Sequence, residues 1–154
     1  MFVMTAKVNK KKLALIAGAI IVLIIVLAVA LGNKDSAQTG ATLNVTTNDD
    51  RIQFLESFGW EVVTSPAETS QVRIPTDSSE VFERYNTLQK AMGYDLSAFA
   101  GKTVMRYVYT IKNYPGATEP VYATILIANN QVIGGDITNT SADGKVQGFT
   151  MAEE

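Results

Sequence analysis

The side chains that could do chemistry in this 154-residue chain are carboxylates, a few arginines, and the hydroxyls of Ser, Thr and Tyr. There is no histidine and no cysteine. Their absence removes the commonest general base, the commonest transition-metal ligand, a thiolate nucleophile and the Ser-His-Asp triad. Neither a metal nor a cofactor is expected. Asp49 and Asp50, Glu80 and Glu83, and Glu153 and Glu154 are carboxylate pairs of the kind that glycoside hydrolysis or calcium binding draws on. The first pair equally suits the positive end of a helix, the others a solvated surface, and the D-x-D-x-D-G spacing of an EF-hand loop is missing. No catalytic residue is assigned.

Two loop or strand motifs could approach a ligand. Gly134-Gly135-Asp136 would leave open backbone beside a carboxylate, although two glycines in a strand more often mark a bulge or tight packing under a helix. Asn113-Tyr114-Pro115 could form a recognition loop, but Asn and Pro at a hairpin end commonly serve the turn itself. The remaining candidates come from strand parity. In the stretch 103–112, Arg106, Thr110 and Lys112 share one face, and Met105, Tyr107, Tyr109 and Ile111 share the other. In 120–128, Val121, Ala123, Ile125 and Ile127 face inward, leaving Tyr122 and Thr124 outward. Arg106, Thr110, Tyr122 and Thr124 are therefore the candidate contact patch. Tyr and Arg supply large contact area with few rotors lost, which suits a protein or glycan partner.

These residues need a scaffold and an address. Residues 13–31 read LALIAGAIIVLIIVLAVAL, 19 in a row without a charge, an amide side chain or a proline. As a helix the run reaches roughly 28 Å, close to the ~30 Å hydrocarbon thickness of a bilayer. Lys7, Lys10, Lys11 and Lys12 precede it, whereas Lys34 and Asp35 beyond it cancel. The positive-inside bias then places the N-terminus in the cytoplasm and everything after the span outside. A cleaved secretory signal, with Ala28-Val29-Ala30 as the cleavage site, is the alternative, but the run is longer than a usual h-region of about 7 to 15 residues. From Asp35 onward eight Lys and Arg stand against 15 Asp and Glu, a net charge of −7. An acidic exported part argues against nucleic acid as a partner.

The chain divides into a basic tip at 1–12, the span at 13–31, a polar tether at 32–48 and one folded domain at 49–154. In that domain Asn48 is expected to cap a helix carrying Ile52, Leu55 and Phe58, closed by Gly59. Residues 60–64 and 71–74 read as short strands around Ser65-Pro66, forming a hairpin or corner. Asp77 and Glu80 have capping-box spacing, and Val81, Phe82, Tyr85, Leu88 and Met92 form an apolar stripe closed by Gly93. Strands at 103–112, 120–128, 131–138 and 145–151 follow, with Asn129-Asn130 and Asp143-Gly144 as turns. The expected fold is α+β: two helices on one face of a mainly antiparallel sheet of five or six strands.

FLESFGWEV (54–62), VRIP (72–75), YNTLQKAMGYDLSAFAGKTVMRYVYTIKNYP (85–115) and GGDI (134–137) resemble an uncharacterised domain-of-unknown-function family. It occurs in membrane-anchored proteins of Clostridia-type Gram-positive bacteria. The resemblance implies an extracytoplasmic domain in a single-membrane bacterium and carries over no catalytic residue. The expected function is a non-enzymatic binding or interaction module, tethered to the membrane and meeting an envelope protein or glycan. The competing reading is an envelope enzyme acting on glycan or peptide through carboxylates.

Overall fold

A computed structural model describes residues 44–151. The expected tip, the span, most of the tether, and Glu153 and Glu154 lie outside the described residues. Among those described, no helix is long and apolar enough to cross a membrane.

Helix α1 (Asn48–Glu56) is capped one residue earlier than expected, by Thr47. The Thr47 hydroxyl accepts from the Asp50 amide at 3.1 Å, and the Asp50 carboxylate accepts from the Thr47 amide at 2.7 Å. This reciprocal box holds the Asp50 carboxyl below the usual carboxylate range. It frees Asn48 for tertiary work: its Nδ2 donates to the Thr64 carbonyl at 2.8 Å, and its Oδ1 accepts from the Tyr109 hydroxyl at 2.9 Å. The inward face is Arg51, Phe54 and Leu55, where Ile52, Leu55 and Phe58 were expected. Arg51 tolerates burial because its guanidinium lies 3.9 Å over the Tyr107 ring and its Nε donates to the Tyr109 hydroxyl at 2.8 Å.

Strand β1 (Glu68–Arg73) pairs with β2 (Thr103–Ile111), not with residues 60–64. The expected hairpin is absent. The earlier segment touches the same edge of β2 further along, through a bridge between Val62 and Ile111. Pro66 has no N–H to give a ladder, so Ser65-Pro66 interrupts one edge instead of turning a corner.

Helix α2 (Glu80–Ala91) is capped by Ser79, whose hydroxyl accepts from the Phe82 amide at 3.1 Å, and not by Asp77. Its stripe is displaced too. Val81 is 79% exposed, Phe82, Tyr85, Leu88 and Met92 are half-buried, and the deepest side chains are Asn86 and Gln89. Asn86 pins the 3-10 turn Leu96–Phe99 by accepting from the Leu96 amide at 2.8 Å and donating to Asp95 at 2.9 Å. Asp95 also accepts from the hydroxyl and amide of Ser97.

Those bonds, led by Ser97, pull the Asp95 carboxyl down to about 2. Because the folded pKa is depressed, this contribution is present above the unfolded value of 3.8 and disappears as pH falls through about 2. Asp95→Asn should therefore flatten the acid limb of stability in that window. Urea midpoints measured at intervals from pH 5 down to 2 would show it, and an unchanged limb would contradict the assignment.

Strand β2 is followed by β3 (Val121–Ala128), β4 (Gln131–Asn139) and β5 (Val146–Gln147). All neighbours are antiparallel in the order β1-β2-β3-β4-β5, so the expected meander is present with five strands. Asn129 and Asn130, at φ 50° and 61°, make the two-residue turn between β3 and β4. The last strand is much shorter than 145–151. The chain leaves the ladder to bury Phe149, whose ring stands edge-on to Phe54 at 5.0 Å and whose carbonyl accepts from the Trp60 indole.

The expectation that both helices share one face is wrong. Helix α1 packs on the face of Tyr109, Ile111, Ala123, Ile125 and Ile137. The opposite face carries Val104, Leu126 and Ile133, and Phe82 and Tyr85 of α2 pack there. The physical reason lies in β3 and β4: Leu126 sits between Ile125 and Ile127, and Ile133 follows Val132, so both faces hold apolar area that must be covered. A register shift between Leu126 and Ile127 leaves Ile133 as an extra residue, a bulge that turns it toward α2.

Candidate functional site

The first turns of α2 stand off the sheet and leave a cleft of about 430 Å³. This volume is within the range of small-ligand sites. Val81, Phe82 and Tyr85 of α2 form one wall, Arg106, Thr124, Leu126, Asp136 and Thr138 of the sheet form the floor, and Val72, Ile74, Pro75 and Leu96 also line the cleft. Strand register explains the floor: Arg106 lies opposite Leu126, and Thr124 lies opposite Asp136, so alternate residues of β2, β3 and β4 face α2 together.

Asp136 is only 6% exposed. Its Oδ2 accepts from the Tyr85 hydroxyl at 2.7 Å and its Oδ1 from the Thr138 hydroxyl at 2.6 Å. Burial, and then the negative charge of Asp136, push the Tyr85 phenol well above its ordinary value of 10, with the Arg106 cation opposing. Tyr85 is held protonated as a donor. Arg106 pairs with Glu68 at 2.6 Å, and Glu68 also accepts from the Ser70 hydroxyl at 3.0 Å. Asp136 is the one carboxylate among the described lining residues. No group of three or more Asp or Glu among the described residues could hold a metal ion.

The four patch residues do share a face of the sheet, but that face is not open. Arg106 and Thr124 lie in the cleft, with Thr124 only 7% exposed. Thr110 and Tyr122 face each other across β2 and β3, half-buried and outside the cleft lining. Tyr85, Asp136 and Thr138 were missed as partners of this face. Asp136 had a signal in Gly134-Gly135-Asp136, whose glycines prove to be close-packing positions: a Cβ on Gly134 would lie 2.6 Å from Gln89 Oε1. The Asn113-Tyr114-Pro115 loop serves structure. Asn113 accepts from the Glu61 amide and donates to the Gly59 carbonyl, both at 2.8 Å, and the Tyr114 ring stacks on Trp60.

Fold and site together define an α+β domain whose antiparallel meander is covered on both faces, with a polar-floored cleft beneath one helix. The chain belongs to a family defined by a domain of unknown function, DUF4830, which matches residues 54–137, more than half of its length. The matched span contains Tyr85, Arg106, Thr124 and Asp136. Comparison with curated proteins and with solved structures gives no match.

Proposed function

We propose that this protein is a binding module held outside the membrane of a Gram-positive bacterium by a single N-terminal span. The observation that carries the binding reading is the cleft under α2, with apolar walls and a floor of fixed polar groups. The lysine cluster before the apolar run and the acidic character of the rest support the topology. An envelope glycan or protein remains the partner proposed for the module. The reading is favoured over a carboxylate-based hydrolase because such chemistry uses two carboxylates flanking the substrate, and Asp136 is the one carboxylate among the described residues that line the cleft.

Hydrogen exchange on the full chain in nanodiscs tests the binding reading. Probes sharing a phenyl group and differing in charge should include at least one that slows exchange in peptides covering 79–88 and 122–138. If cationic, anionic and neutral probes all leave both peptides unchanged, the cleft is not a ligand site. The topology is tested in membranes: the chain should resist carbonate extraction, and external protease should remove the folded domain. A mature N-terminus beginning at Leu31 would mean that the segment is a cleaved signal.

A further inference from the structure

The charge left over in the cleft identifies its ligand more closely, and this inference rests on the binding reading above. Arg106 is neutralised by Glu68 at 2.6 Å. Asp136, although more than nine-tenths buried, has no Lys or Arg partner among the described residues; two neutral hydroxyls hold it. An ionised carboxylate taken out of water is costly unless it meets a cation. Each carboxylate oxygen can accept a second hydrogen bond beyond the one it already has. Beside it, directly across the β3–β4 ladder, stands Thr124. Thr124, 7% exposed, lines the same cleft, and its hydroxyl, open to the cleft, makes no hydrogen bond among the described residues.

We propose that the cleft binds a primary ammonium group on an apolar stem, the ammonium bridging Asp136 and Thr124 and the stem lying along Phe82 and Leu126. An ammonium has three donors and no acceptor, which matches two oxygen acceptors fixed on adjacent strands. A carboxylate ligand would meet a cation already paired and an anion already buried. The same chemistry occurs in a free organic amine and in a lysine side chain of a peptide.

The test uses the full chain in nanodiscs of zwitterionic lipid and reads binding by calorimetry, with hydrogen exchange to place it. The probes are 2-phenylethylamine, phenylacetate, 2-phenylethanol and Nα-acetyl-lysine N-methylamide. One or both amines should bind at least tenfold more tightly than the acid and the alcohol, and the tighter amine names the source. Asp136→Asn should weaken amine binding by tenfold or more. Arg106→Gln keeps Asp136 intact and breaks the ion pair, leaving Glu68 as an added negative charge beside the cleft, so it should tighten amine binding severalfold even if the Asp136 variant fails to fold. Preference for the acid, equal binding of alcohol and amine, or weaker amine binding in Arg106→Gln would overturn the inference while leaving the cleft as a binding site. Binding by no probe would overturn both.

Discussion

Alanine at position 135 should destabilise the domain by about 3 kcal/mol or more, a large fraction of the roughly 5 to 15 kcal/mol that holds a typical domain folded. Gly135 sits in β4 at φ 154°, and a Cβ there would lie 2.1 Å from the Thr124 carbonyl oxygen and 2.5 Å from the Phe149 ring. The first neighbour is backbone of the adjoining strand, so it cannot rotate away. Relief requires β3 and β4 to part, and that opens the core around Ile125 and Ile137. Gly116→Ala is the control. Gly116 is at φ 66° with nothing within 4 Å of its added carbon, so the substitution should cost only about 1 kcal/mol from the left-handed backbone. Urea unfolding of both variants decides the matter, and a smaller loss for Gly135→Ala than for Gly116→Ala would contradict the packing argument.

Gln89→Leu should cost about 2 to 6 kcal/mol, although leucine is the more hydrophobic residue and Gln89 is fully buried. Gly135 is paired with Ile125 on its β3 side, but β5 reaches only Ile137 and Thr138, so the outer edge of β4 lacks a strand partner at Gly135. Gln89 supplies one from the helix: its Nε2 donates to the Gly135 carbonyl at 2.9 Å, and its Oε1 accepts from the Gly135 amide at 2.8 Å. Leucine fills the volume and leaves both backbone groups dry, each at about 1 to 3 kcal/mol. Gln89→Glu separates the two bonds. A carboxylate still accepts from the amide but faces the carbonyl, which raises its folded pKa above the unfolded value. Its stability should then be greatest below about pH 4.3 and fall as pH rises, opposite in sign to the Asp95 contribution. A Gln89→Leu variant with an unchanged urea midpoint would show that water satisfies the Gly135 edge. The double variant with Gly135→Ala should be far from additive, because both changes act on the same backbone groups.

Several features were legible because their causes are local. Asn129-Asn130 tolerates the left-handed backbone that a two-residue turn demands, and the period of two put Arg106, Thr110, Tyr122 and Thr124 on one face without any knowledge of what covers it. Helix caps were legible to within a residue or two. Thr47 and Asn48, like Asp77 and Ser79, are all competent caps, and the choice fell to tertiary bonds such as those from Asn48 to Thr64 and Tyr109. The apolar stripe on α2 was right in part, since Phe82, Tyr85 and Met92 pack inward, but Val81 stays exposed beside the cleft and Gln89 is buried by backbone groups 46 residues away, a partner no periodicity reveals.

The sequence by itself thus determined the apolar run at 13–31, the acidic remainder, the meander and the parity of its strands, since each follows from composition or from neighbours a few residues apart. Only the tertiary structure decided that the helices lie on opposite faces, because β3 and β4 are apolar at both parities and either face could have been covered. The same choice made the site. With α2 over the Arg106 face, Tyr85 reaches Asp136 across 51 positions and a polar sheet surface becomes the floor of a cleft. Contacts at that separation depend on which surfaces dock, and local residue preferences do not encode docking.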